Sequence, residues 1–479
     1  MPGVPSSRAC DACRKQRKRA KSDYLRNGYQ CDLSKPSCSR CSRLRIVCIG
    51  SGQQRYKFKE DARSFHALAR PEADPEWKHP HWLRTETITT QMVQISRIRS
   101  NEKTLLANAL IEKLTPSEDL RYQLAWTFGD LLAHIPRRIG SNQALDASVA
   151  ALIAAHSHFS TPLDCSATYK SLVTYSHALK ALRACLDNPV TALESNTVCA
   201  VMLLLICQSF NGPHQGMWTG STGHGQGAAQ ILKARGHYDT RDEFERILFR
   251  TLSTAVLFEA LVNPSISFSP EEWKTIVGNE LVSTNHPGGR MIQCLSYIPS
   301  IMQRVRVAIE ERNSLNDLVA ETRIQYRIAK TTLVALQGLL YADPDQINAW
   351  TPATASSKLI HAHYQRLYST GLTITIVLNC ILKAISGSDG DLVVESTHFC
   401  KDVLLLAEAA AIYRPLGSSY MIVCLVAAWC NTSDEGSKAN VEDMLCEYWS
   451  AFVGQDTQVP RKELERTSQL LSSLQLQKG

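Results

Sequence analysis

Six of the chain's 16 cysteines fall between Cys10 and Cys48, at Cys10, Cys13, Cys31, Cys38, Cys41 and Cys48. The second three read C-x2-C-x6-C. The first three begin the same way, C-x2-C, and then run 17 residues to the next cysteine. Arg14, Lys15, Arg17, Lys18, Arg19 and Lys21 are interleaved with them. A C-x2-C pair grips one metal ion from two neighbouring positions, and thiolates suit zinc. Thiolate spacing and positive charge in one short segment point to a metal-built module that meets nucleic acid.

Counting ligands narrows the chemistry. Zinc takes four tetrahedral ligands. Two ions need eight positions, and six thiolates fill eight only if two of them bridge both metals. The alternative is one four-cysteine site with two cysteines to spare. The near-repeat favours the binuclear form, because each half then contributes equivalently. A disulfide framework is the competing reading. Met1 to Ala9 is too short and polar for a targeting peptide, and the charge suits a reducing compartment better than secretion.

On these residues the segment resembles the fungal Zn2Cys6 binuclear-cluster transcription factors, over residues 10 to 48, about a tenth of the chain. The resemblance implies two zinc ions per chain, held by Cys10, Cys13, Cys31, Cys38, Cys41 and Cys48, with Cys10 and Cys38 bridging. It implies double-stranded DNA with CGG-like sites as a partner, the transcription machinery as another, and a nuclear location. Lys35-Pro36 fits the family's linker between halves. The basic residues after the second cysteine would lie on a short helix aimed at the major groove, with Gln16 and Arg17 at the base-reading positions and Lys18 next. Arg14, Lys15, Arg19, Arg43 and Arg45 are better placed for phosphates. Gln16 departs from the usual basic residue, which implies an altered or relaxed preference at one base.

A second departure is larger. The family has six residues where this chain has 17. Removing Ala20 to Gln30, AKSDYLRNGYQ, leaves CDACRKQRKRC and restores the pattern. This insertion is either a loop at the end of the reading helix or translated intron sequence.

Positioning such a module is the task of the rest of the chain. Residues 1 to 60 hold 15 Lys and Arg against 4 Asp and Glu, whereas the remaining 419 residues are acidic by 4. A basic head on a mildly acidic body is the expected split for a nucleic-acid module joined to a regulatory domain. We divide the chain into a zinc-cluster module over 1–54, a linker over 55–100 and a helical domain over 101–479. The linker carries Pro71, Pro75 and Pro80 and no sustained heptad: Met92, Ile95 and Ile98 do not continue in register. The family's coiled-coil dimer therefore has no support here, although a homodimer by another route is compatible with the sequence. His79 and His81 beside Pro80 read as a solvated loop.

From about residue 101 the apolar periodicity is helical almost throughout. Leu105, Leu106, Leu110, Ile111 and Leu114 form one stripe, and Leu172, Tyr175, Leu179 and Leu182 another. Further helices are expected at 198–207 and near 243–262, 317–340, 355–387, 395–412, 417–430 and 438–452. Prolines, Pro287 among them, read as breakers between them. Thr115-Pro116-Ser117-Glu118 and Ser269-Pro270-Glu271-Glu272 read as helix starts. Val198 to Cys207 and Leu372 to Ile385 read as buried helices and not as membrane spans. The ten cysteines from Cys165 to Cys446 lack ligand spacing and read as small hydrophobes. The fold class is mainly α: a small zinc-cluster module, a linker and a large all-helical domain.

The helical body resembles, more weakly, the all-helical regulatory domain that Zn2Cys6 proteins commonly carry. The match is an H-x-x-G-A-x-x-L-x-x-x-G helix at His224 to Gly236, whose small residues would permit close packing and whose Gly236 would end it. Gly223, Gly225 and Ala228 also spell G-x-G-x-x-A, but no strand precedes them, as a dinucleotide loop requires. There is no G-x-S-x-G, P-loop or H-E-x-x-H. His361 and His363 face different sides of a helix. The sequence thus gives enzymatic chemistry no support. Two functions stay open: a DNA-binding regulator of RNA polymerase II genes, as for a metabolic gene set, or a helical interaction protein whose zinc module is disabled by the insertion.

Overall fold

Residues 373 to 377 read Thr-Ile-Thr-Ile-Val, a run of β-branched side chains with low helix propensity. They nevertheless sit in the middle of a 30-residue helix, Ser357–Ser386. Burial decides the matter. Every residue from 371 to 382 is buried, and full burial of one such side chain contributes about 1.5–3 kcal/mol. The hydroxyls of Thr373 and Thr375 donate back to the carbonyls of Ser369 and Gly371, at 3.0 and 2.8 Å.

That helix is the axis of the larger of two units, residues 96–479; the smaller is residues 1–95. A computed structural model of the protein describes residues 4–5, 37–45, 48 and 56–57 and, between 101 and 472, all but 116, 118, 161–164, 211–223, 237–240, 278–285, 343–356, 387–388 and 454–460. Of the residues so described, 83% are helical, so the fold is mainly α.

In the smaller unit the elements are β1 (Val4–Pro5), α1 (Ser39–Arg43) and β2 (Tyr56–Lys57). The larger unit runs α2 (Glu102–Leu114), α3 (Leu124–Phe128), α4 (Gln143–Ser160), α5 (Cys165–Leu186), α6 (Ser195–Phe210), α7 (His224–Arg235), α8 (Glu243–Ala260) and α9 (Pro270–Val277). It continues with α10 (Pro287–Glu310), α11 (Asn316–Tyr341), α12 (Ser357–Ser386), α13 (Gly390–Ala410), α14 (Tyr420–Asn431), α15 (Glu435–Val453) and α16 (Arg461–Ser472). Short 3-10 turns at Leu120–Tyr122, Asp130–His134, Pro136–Arg138 and Ala411–Tyr413 join some of them.

Two helices organise the body. In α4, six alanines keep the surface shallow, and α5 and α6 pack along it. Asn142 starts it, accepting from the Leu145 amide at 3.1 Å. Around α12 lie α10, α11, α13 and α14. At Gly371 a Cβ would come within 3.1–3.2 Å of Leu336, Met291 and Leu333, so the glycine marks the crossing with α10 and α11. One apolar core runs through both halves, from Leu110 to Leu464.

A polar net ties α11, α12, α13 and the end of α14. Asn379 donates to the Tyr326 hydroxyl at 3.0 Å, and Ser396 donates to Asn379 Oδ1 at 3.0 Å. Lys383 donates to Ser396 Oγ at 2.8 Å and to the Asn431 carbonyl at 2.6 Å. Tyr326 and Lys330 both donate to the Glu395 carboxylate. Burial lowers the Lys383 pKa, and burial with the Glu395 bond raises that of Tyr326. Buried polar groups cost stability unless partnered; these are.

Several expectations need adjusting. Pro287 does not break a helix: it is the first residue of α10, with His286 Nδ1 accepting from the Gly289 amide at 3.1 Å. Thr115 closes α2 and does not open a helix; its hydroxyl donates to the Ile111 carbonyl at 3.2 Å, and Asp119 caps the next turn. Ser269 does open α9, in a reciprocal pair: Ser269 Oγ accepts from the Glu272 amide at 3.1 Å, and Glu272 accepts from the Ser269 amide at 2.7 Å. Among the described residues only Lys358–Ser386 is long and apolar enough to cross a membrane, and 83% of its apolar window is buried in the protein.

Candidate metal centre

Cys38, Cys41 and Cys48 bring their sulfurs together, all within 4.8 Å of one another. Tetrahedral zinc with bonds of about 2.3 Å sets its sulfurs about 3.8 Å apart, so the trio is close to chelating geometry. Local backbone explains how. Cys38 precedes α1, and Cys41 lies on it one turn later, so both sulfurs fall on one side. The Cys41 amide donates to Cys38 Sγ at 3.4 Å, and the Cys38 amide donates to Cys48 Sγ at 3.3 Å.

The chain leaves α1 through Arg45, whose φ of 51° is left-handed, and its amide donates to the Ser42 carbonyl at 3.2 Å. Cys48, three residues further on, lies beside the pair. A five-residue helix is far too short to hold itself in water. Cys38 and Cys41 are fully buried, whereas Arg43, Leu44 and Arg45 are exposed. Sulfur thus points in and guanidinium out.

The two strands add something the sequence reading missed. β1 pairs antiparallel with β2, Val4 opposite Lys57 and Pro5 opposite Tyr56. The ribbon pairs the chain before Cys10 with the chain after Cys48. Two-residue strands leave no periodicity to read. Cys10, Cys13 and Cys31, with Arg14, Lys15, Gln16, Arg17, Lys18, Arg19 and the insertion at 20–30, lie outside the described residues.

The donor set fits zinc: three soft thiol sulfurs and no carboxylate. Three sulfurs leave one tetrahedral position for a fourth ligand. Elsewhere among the described residues no three His, Cys, Asp or Glu side chains form a comparable group. Four cysteines of the helical body are buried in its apolar core. Burial pushes Cys199 up to about 12, and Cys294, Cys380 and Cys424 up to about 11. Such thiols are poor ligands at neutral pH and serve as packing.

In α7 the small residues do permit close approach. A Cβ on Gly225 would overlap the Glu259 carboxylate, while Ala228 and Ala229 are buried. Gly236, at φ 69°, ends the helix. Gly227 has open space and contributes no contact. His361 is exposed and His363 half-buried, where burial first and then Arg366 and His286 hold its pKa down at about 4.

No protein-family model matches this chain, and neither the curated proteins nor the solved structures contain a significant match to it.

Proposed function

We propose that the protein is a DNA-binding transcription regulator of the Zn2Cys6 kind, reading CGG-like sites in the nucleus through a two-zinc cluster. The observation that carries this reading is the Cys38–Cys41–Cys48 sulfur group with arginines exposed beside it. In this reading Cys38, Cys41, Cys48 and the bridging Cys10 hold one ion. Cys10, Cys13, Cys31 and the bridging Cys38 hold the other. Zinc supplies the fold of the module, because metal binding and folding are linked at such sites. Gln16 and Arg17 meet base edges, with Lys18 the next candidate; Arg14, Lys15, Arg19, Arg43 and Arg45 meet phosphates. The helical body is the regulatory part. No catalytic step is assigned to the protein.

The 11-residue insertion favours a second reading, in which the module no longer docks on DNA and the chain acts as a helical interaction protein. Purified full chain, with and without residues 20–30, separates the two. Zinc content and affinity for a CGG duplex are measured on both. The regulator reading expects two zinc ions and duplex binding in the intact chain. Zinc with DNA binding only after excision favours the interaction reading.

A further inference from the structure

The helical body contains a cavity of about 260 Å³ where α3, α12, the turn before α14 and the end of α15 meet. Its walls are apolar: Phe128, Leu416, Val423 and Phe452 line it. Phe452 belongs to an aromatic cluster through Phe159, at 5.3 Å between ring centres, and Phe128 through Phe210, at 6.0 Å. Two polar groups break this lining, Arg366 and Tyr420.

The protein leaves hydrogen-bonding capacity unused in both groups. The Tyr420 hydroxyl oxygen is buried and has no hydrogen-bond partner. Arg366 donates one N–H to the Trp126 carbonyl and lies 4.9 Å from the centre of the Trp126 ring. A guanidinium carries five N–H donors. Among the described residues no carboxylate forms an ion pair with Arg366, although Asp130 is near enough to favour its charge. Burial lowers the Arg366 pKa and raises that of Tyr420, so the cavity holds a cation and a neutral phenol. A half-buried charge whose only counter-charge is not in direct contact is costly, and so is a buried hydroxyl without a partner. The Tyr420 hydroxyl is closed off from the cavity, so a small turn of its ring would let the same anion, set between the two groups, relieve both costs.

We propose that this cavity binds a small amphipathic carboxylic acid, its carboxylate on Arg366 and Tyr420 and its apolar part against Phe128, Leu416, Val423 and Phe452. One guanidinium and one hydroxyl match a single negative charge with two oxygens. A phosphate dianion would keep a second charge among apolar walls. The cavity lies just below the usual range for drug-sized ligands, which sets the acid at roughly ten to fourteen heavy atoms. The site uses neither zinc nor DNA and stands apart from the DNA-binding reading.

The test is thermal unfolding of the full chain with octanoate or 3-phenylpropanoate, each against its uncharged amide. At ligand concentrations well above Kd, the acids should raise the midpoint by about 2 °C or more and the amides should not. Tyr420→Phe removes only the unpartnered hydroxyl. The unliganded variant should be as stable as the wild type and should bind the acids at least about fivefold more weakly. Arg366→Met should abolish the shift, and if that variant does not fold, Tyr420→Phe decides alone. No shift with either acid, equal shifts with acid and amide, or unchanged acid affinity in Tyr420→Phe overturns the proposal.

Discussion

A sulfur that serves two metals should be the hardest to replace. In the proposed cluster Cys10→Ala and Cys38→Ala each remove a ligand from both ions, whereas Cys48→Ala touches one. Zinc retained after desalting should therefore fall further for the first two. Equal losses at all six cysteines would mean that no sulfur bridges. The arginines divide in a similar way. Arg17→Ala should cost about 1–3 kcal/mol on a CGG duplex and much less on a scrambled one. Arg43, exposed on α1 beside the sulfurs, should behave as a phosphate contact. Arg43→Ala should weaken both duplexes alike and lower the salt slope by about one. Titrations at several salt concentrations read both effects.

At the scale of elements, two substitutions probe how the body is held. Ser269→Ala removes one half of the reciprocal cap on α9 and should cost about 0.5–2 kcal/mol in denaturant unfolding. Gly417→Ala is a harsher test. Its Cβ would sit 2.5 Å from the Leu120 carbonyl oxygen and 2.9 Å from that of Tyr413, both rigid backbone. Overpacking of that kind costs about 1–3 kcal/mol, and no side chain can swing aside to reduce it. An unchanged midpoint would mean that this turn shifts readily. The insertion is also an element-scale question. If it is translated intron, transcripts should join Arg19 directly to Cys31. Transcripts that uniformly encode AKSDYLRNGYQ would establish it as part of the protein.

What the sequence made legible follows the same scale. A helix with a one-sided stripe, such as α8, could be read within a residue or two, and the start of α9 was legible from its capping residues. α10 was hidden because Pro287 looks like a stop when its neighbours Gly288 and Gly289 follow it, although proline suits a first helical position. α4 was hidden because alanines on every side blur its period. The net around Asn379 could not be foreseen, since Tyr326 and Asn379 are 53 residues apart. The cavity was equally invisible: Phe128, Arg366, Tyr420 and Phe452 come from four separate helices. The cysteine site was the reverse case. Its ligand spacing is local, so Cys38, Cys41 and Cys48 were named from the sequence alone.

At the scale of the whole molecule, charge is divided unevenly along the chain. The basic residues are concentrated in the first 60, and the rest of the chain is mildly acidic. The head is suited to a polyanion, and the body carries no net positive charge to attract one. The account therefore predicts that DNA affinity resides in the head and depends on its metal. One titration tests this most directly: fluorescence anisotropy of the full chain on CGG-containing and scrambled duplexes, with and without a zinc chelator. Binding should favour the CGG duplex by at least about tenfold, or about 1.4 kcal/mol, and should be lost with chelator. Equal affinity for both duplexes, or binding that survives zinc removal, would contradict a zinc-built sequence reader.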